Sequence, residues 1–336
     1  MNMKIAKRFS PATICLMLLA YGCQGQNNTK MMDNTTKNPL LCNPEQGLCE
    51  IPAANAANSA GFQAAASKPL RIVYFTDPIC SSCWGIEPQL RKLKLEYGHL
   101  LEIEYRMGGL LPSWEVYNSG GISKPSDVAH HWDEVSAYYD MPIDGDVWLE
   151  DPLPSSYPPS IAFKAAQMQD EQKALRFLRR IREMVFLEKK NITKWEHLRQ
   201  AAAETGLDAE QLQADYNGRA QQAFQDDLAL ARQMGVRGFP TLFFTDTLGN
   251  KLTLYGARPY AQFEQNVRAL APEALKQAYD AGTETLFSKY PTLTLREFAE
   301  LSGRSKPEAE ALLQEWTAQG RCERITTKNG SWWRRR

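Results

Sequence analysis

The run Phe75–Pro88, "F-T-D-P-I-C-S-S-C-W-G-I-E-P", constrains this chain more than any other stretch. Before it, "L-R-I-V-Y-F-T-D" at 70–77 is a short apolar run rich in β-branched and aromatic residues, closed by Asp-Pro. Its length and ending read as a buried strand. From Cys80 the pattern turns helical, with Trp84, Leu90, Leu93 and Leu95 at helical spacings up to Gly98. "L-E-I-E-Y-R-M" at 101–107 alternates apolar and polar residues and reads as a second strand. Strand, helix and strand make a βαβ unit, and the two cysteines stand at its first turn.

That position favours redox chemistry over a zinc half-site. A structural zinc ion wants four ligands, and the only other close cysteine pair, Cys42 and Cys49, has a wider spacing and lies across a loose linker. A strand-to-helix turn puts Cys80 among unpaired amide N–H groups, which stabilise an anion. A thiol near its usual pKa of about 8.5 is only a few per cent thiolate at neutral pH. Lowering it by about two units takes about 2.7 kcal/mol of differential stabilisation. Cys80 is then the attacking thiol. Cys83, one turn later and expected to be the more buried, resolves the mixed disulfide. Asp77 is a candidate for tuning the pair, and Trp84 for an apolar substrate surface beside it.

Beyond Gly108-Gly109, residues 110–157 read as irregular, rich in Pro, Gly, Trp and Tyr. Residues 158–234 read as a helical insert. "G-V-R-G-F-P-T-L-F-F" then leads into a hairpin turning at Leu248-Gly249-Asn250, and a helix follows from Tyr260. The expected fold is α/β: a thioredoxin fold over 69–275 with an α-helical domain spliced into its middle. Pro88, eight residues after Cys80, takes the place of the kink proline of such active-site helices. Pro240 takes the place of their cis-proline, where the backbone of Phe239 can pair with an incoming peptide as an added strand.

These motifs resemble the DsbA-like thioredoxin superfamily. "D-P-I-C-S-S-C-W", together with "G-D-V-W-L-E-D-P-L-P-S-S-Y-P-P-S-I-A-F-K-A-A-Q", is similar more narrowly to the Spx-degradation adaptors of the SpxH (YjbH) subgroup, over residues 40 to 336. The resemblance implies thiol–disulfide exchange on protein thiols or disulfides, with no organic cofactor and no metal at the site. It implies as an alternative an adaptor that binds a client protein for a ClpXP-type protease. One departure stands out. Oxidising members carry Pro-His between the cysteines, whereas Ser81-Ser82 here supply hydroxyls without charge. Reductase, isomerase and binding roles therefore stay open.

The N-terminus carries Lys4, Lys7 and Arg8, then an apolar run ending at Cys23. Residues 1–23 read as a lipoprotein export signal with Cys23 as the lipidated residue and sole membrane anchor, giving a cell-envelope protein. The alternative is a cytoplasmic protein starting at Met31 or Met32. Residues 24–68 read as linker around the island "L-C-N-P-E-Q-G-L-C-E". There Cys42 and Cys49 make a second redox pair, a structural disulfide or, following the metal-binding N-terminal segment of the adaptors resembled, a metal site.

Residues 285–336 read as a winged helix-like module: a helix ending at Gly303, a capping box from Ser305 to Glu308, a helix to Gly320, and a hairpin at Asn329-Gly330. Arg304 and Lys306 face Glu308, Glu310 and Glu315 along the second helix, while residues 321–336 carry six Arg or Lys against one Glu. An acidic helix with a basic tail fits protein contact better than base reading. A redox-sensing DNA-binding regulator is thus the third reading. Lysines and arginines match aspartates and glutamates, 39 to 39, so nothing global draws nucleic acid. His130-His131 read as packing residues because neighbours on a helix point about 100° apart, Cys322 as a buried filler, and "R-F-L-R-R-I-R" at 176–182 as a solvated face.

Overall fold

The computed structural model describes residues 49–50, 68–117 and 124–336. Cys23, Cys42 and the proposed start sites lie outside them. The uninterrupted apolar run Leu70–Thr76 forms β2, buried along almost its whole length, as a central strand must be. Its neighbours are β3 (Leu101–Met107), parallel, and β5 (Thr241–Asp246), antiparallel; β6 (Lys251–Tyr255) closes the sheet in the order β3-β2-β5-β6. The crossover from β2 to β3 runs through α1 (Ser81–Gly85) and α2 (Glu87–Tyr97). The expected single helix is therefore two. It breaks at Ile86, and Pro88 sits in the first turn of α2, where its missing N–H costs nothing. A two-residue strand, β1 (Cys49–Glu50), pairs with β4 (Gly238–Phe239) apart from the main sheet.

The segment read as irregular holds two helices, α3 (Ser126–Tyr139) and α4 (Val147–Glu150). Val128, Ala129, Trp132, Val135 and Tyr139 make a buried stripe at helical spacing, and Asp140 ends α3 in the left-handed conformation. The aromatic residues that suggested loops pack on each other instead. Trp132 meets Trp148 edge-on at 5.2 Å and lies 4.7 Å from Phe186. The insert itself is α5 (Tyr157–Gln169), α6 (Glu171–Leu187), α7 (Trp195–Glu204), α8 (Ala209–Asn217) and α9 (Arg219–Gln233). Asp170 caps α6 by accepting from Lys173 N–H at 2.7 Å. After the hairpin, α10 (Tyr260–Leu270) returns to pack on α2, β5 and β6.

The C-terminal elements are α11 (Thr283–Lys289), β7 (Thr292–Thr294), α12 (Leu295–Ser302), α13 (Lys306–Ala318), β8 (Cys322–Thr327) and β9 (Gly330–Arg335), with sheet order β7-β9-β8. They enclose their own core of Phe287, Leu293, Phe298, Leu313, Trp316, Cys322 and Trp333. The next residue back, Trp332, points across the pleat into the main core. The hairpin turns at Lys328-Asn329, one residue earlier than expected. Its tip is fixed from outside: Lys328 bonds Asp133 and Asp146 at 2.6 and 2.7 Å, and the Asn329 amide bonds Asp133 and the Ile143 carbonyl.

Candidate functional site

Beyond the end of β2, the chain turns over the side chain of Asp77. Its carboxylate accepts from Ile79 N–H at 3.0 Å, Leu110 N–H at 2.8 Å and the Ser156 hydroxyl at 2.8 Å. The Asp77 carbonyl accepts from Cys80 N–H at 3.2 Å. Asp77 therefore ties the cysteine turn to the strand exit at Leu110 and to the start of the insert. Complete burial pushes its carboxyl up to about 6, against the pull of those three donors and of Arg182. As an anion it disfavours a thiolate at Cys80, so any tuning by Asp77 opposes activation.

Cys80 caps α1: Cys83 N–H donates to its sulfur at 3.1 Å. Both sulfurs are thiols and both residues are wholly buried, so Cys83 is not the more buried of the two. Burial pushes Cys80 up, and the proton it shares with Cys83 and the Asp77 charge add to this. Burial would raise Cys83 as well. The hydrogen bond from Cys80, the charge of Arg182 and the hydroxyls of Thr76 and Tyr74 overcome it and hold Cys83 below the ordinary thiol range. In this dithiol state the more acidic sulfur is Cys83, not the expected Cys80. Ser82, between them, is bonded to the Tyr139 hydroxyl at 2.8 Å.

Arg182 is the group that sequence reasoning missed. It is 1% exposed and donates to Thr76 Oγ1 at 2.5 Å, to the Asp77 carbonyl at 3.3 Å and to Glu87 at 2.7 Å. Its α6 neighbours continue inward. Arg179 makes a two-pronged bond to Glu297 of α12 at 2.8 and 3.0 Å and pairs with Glu183 at 2.7 Å. Arg91 of α2 reaches the same Glu297 at 3.3 Å. The "R-F-L-R-R-I-R" stretch is thus no solvated face. Arg182 and Arg179 reach carboxylates at Glu87 and Glu297, 95 and 118 positions away, which local periodicity cannot reveal. Burial alone would raise Glu297; Arg179 and Arg91 hold it below the ordinary carboxylate range.

Trp84 is not a substrate surface. It is fully buried, stacked on Phe186 at 5.4 Å, covered by the Arg179 guanidinium at 4.3 Å, and bonded through its indole N–H to the Pro142 carbonyl. The Phe239–Pro240 bond is cis, and the Phe239 ring occupies the space that a side chain at Gly108 would need. The backbone of Phe239 pairs with Cys49 of the same chain. His131 is buried while His130 stands in solvent beside Glu134 at 3.2 Å. Among the described residues, no three His, Cys, Asp or Glu side chains gather as a metal site. Three arginines of the basic tail make surface ion pairs, Arg321 and Arg335 with Glu284 and Arg334 with Glu323.

A four-stranded βαβ-plus-hairpin sheet, an inserted helical domain, a CxxC turn and a cis-proline before β5 define a thioredoxin-fold protein. The Thioredoxin family model matches residues 74–265. The fold agrees with a putative protein disulfide isomerase from Nitrosomonas europaea at a TM-score of 0.51 and 20% identity, over 61% of this chain and 97% of that one. The sequence relatives are more specific. The ClpXP adapter protein SpxH of Halalkalibacterium halodurans is 33% identical over 303 residues, covering 89% of this chain and 98% of that protein. The SpxH of Bacillus subtilis is 29% identical over 272 residues, covering 80% and 89%. The chain belongs to the SpxH adapter family.

Proposed function

We propose that this protein is a protease adapter that binds a client protein and presents it to a ClpXP-type protease. The observation that carries this reading is the match to ClpXP adapter relatives over 98% of the length of one of them. The geometry agrees with it. Both thiols are wholly buried and the Phe239 backbone is already paired, which suits a binding protein better than an enzyme turning over bulky protein disulfides. The two helices and hairpin at the C-terminus constitute a winged helix-like module used for protein contact. Four of the six basic residues in its tail, Arg321, Lys328, Arg334 and Arg335, are paired with carboxylates at the surface, which reduces the charge offered to phosphates.

Thiol–disulfide exchange at Cys80 and Cys83 is the second reading, favoured by the CxxC turn with its lowered Cys83. The two readings separate in a reconstituted degradation assay. As an adapter, the protein shortens the lifetime of a Spx-type client in the presence of ClpXP, and Cys80→Ser/Cys83→Ser retains that effect. Loss of the effect in the double variant would favour the redox reading. An adapter shares a compartment with its protease, so this reading prefers a start at Met31 or Met32 over a lipidated Cys23. The mass of the mature N-terminus tests that choice.

A further inference from the structure

The two-residue strand β1 pairs outside the main sheet, on the strand that leads into the cis-proline. Cys49 lies opposite Phe239 and Glu50 opposite Gly238, in antiparallel register. Phe239 directly precedes the cis bond, and Thr241, two residues on, pairs with Phe75 of β2. Beyond Phe75, β2 ends at Thr76, and the next residue, Asp77, accepts the N–H of Cys80 on its carbonyl. The chain has laid its own extended segment on the backbone that an extended peptide would augment. Of the two residues it laid there, one is a cysteine.

We propose that Cys49 forms a disulfide with Cys80 of the same chain, the Cys49–Glu50 strand acting as a built-in occupant of the client-strand position. The chemistry balances in two steps. A small disulfide such as oxidised glutathione first oxidises Cys80 and Cys83 and leaves as two thiols. The Cys49 thiolate then attacks the Cys80 sulfur: the Cys49–Cys80 bond forms, the Cys80–Cys83 bond breaks, and Cys83 departs as a thiolate. The second step moves no net electrons. The leaving group is well provided for, since Arg182 lies on its side of the site and donates to the Thr76 hydroxyl beside it. This inference goes beyond the adapter reading and does not depend on it.

The test uses the full-length protein with Cys42→Ser, so that Cys42 does not compete, and Cys83→Ser, in which Cys80 first takes up glutathione and glutathione leaves as the thiolate when Cys49 attacks the Cys80 sulfur. After equilibration with oxidised and reduced glutathione, acid quench and alkylation, disulfides are mapped by peptide mass spectrometry. The expected product is a monomer in which most Cys80 is joined to Cys49. Adding Glu50→Pro, which removes an N–H from the strand and disfavours its pairing, should cut that yield at least about tenfold and leave Cys80 carrying glutathione. Three outcomes would overturn the proposal: Cys80 bearing only glutathione in the parent variant, a Cys49–Cys80 link found only between two chains, or a yield that Glu50→Pro leaves unchanged.

Discussion

Asp77 accepts three hydrogen bonds and still titrates near pH 6, because burial outweighs them. Unfolded, the same carboxyl would lose its proton near pH 3.9. Between these values the folded chain binds more protons than the unfolded one. The resulting stability is full below about pH 4 and is lost as pH rises through about 6, an amount of at most about 3 kcal/mol. Asp77→Asn removes that dependence, while losing an acceptor for one of the three donors by a pH-independent amount. In urea denaturation the stability advantage of the wild type over the variant should shrink from pH 4 to pH 7; parallel profiles would refute the account. At Arg182 the expectation concerns the thiols. Replacing it with Met removes the charge nearest Cys83, so the midpoint for alkylation of Cys83 moves up in pH. An unmoved midpoint would mean that the Thr76 and Tyr74 hydroxyls suffice. The cysteine pair and Pro240 were plain from their places in the sequence. Arg182 was not, because nothing near residue 182 announces that its carboxylate partner is Glu87.

At the scale of elements, α12 is where the C-terminal module meets the cysteine helices. Glu297 does two things at once. It closes a capping box with Thr294, accepting its N–H at 2.8 Å, and it neutralises Arg179 and Arg91 in the interior. Removing one partner of a buried ion pair leaves uncompensated charge, at a cost of about 3–5 kcal/mol. Glu308 bonds Ser305 at the start of α13 but in solvent, where water replaces much of a lost cap. Glu297→Ala should therefore lower the urea midpoint several times more than Glu308→Ala; equal losses would show that the buried network contributes little. The same contrast explains what was readable beforehand. β2, β3 and the β5–β6 hairpin follow from uninterrupted or alternating apolar patterns, and the Ser305–Glu308 box from spacing alone. α3 was hidden because its stripe of Val, Ala, Trp and Tyr stands between flanks rich in Pro and Gly, a composition that also makes loops. The charges of α6 were legible, but whether they face water or a carboxylate is settled only by tertiary packing.

For the molecule as a whole, the C-terminal module is fastened to the thioredoxin fold on two sides. Glu297 reaches α2 and α6, and the Lys328-Asn329 tip reaches α3 and the start of α4. Such a joint ties module and fold together by side-chain bonds rather than leaving them as two tethered parts. Lys328→Glu places a like charge against Asp133 and Asp146. It should loosen this joint and weaken client binding in calorimetry while leaving the far-ultraviolet dichroism unchanged; unaltered affinity would place the client elsewhere. The central claim is adapter function independent of the thiols, and the most direct measurement is the half-life of a Spx-type client under reconstituted ClpXP. The account predicts that stoichiometric full-length protein shortens it severalfold and that Cys80→Ser/Cys83→Ser does so equally well. A half-life unchanged by the wild-type protein would contradict it.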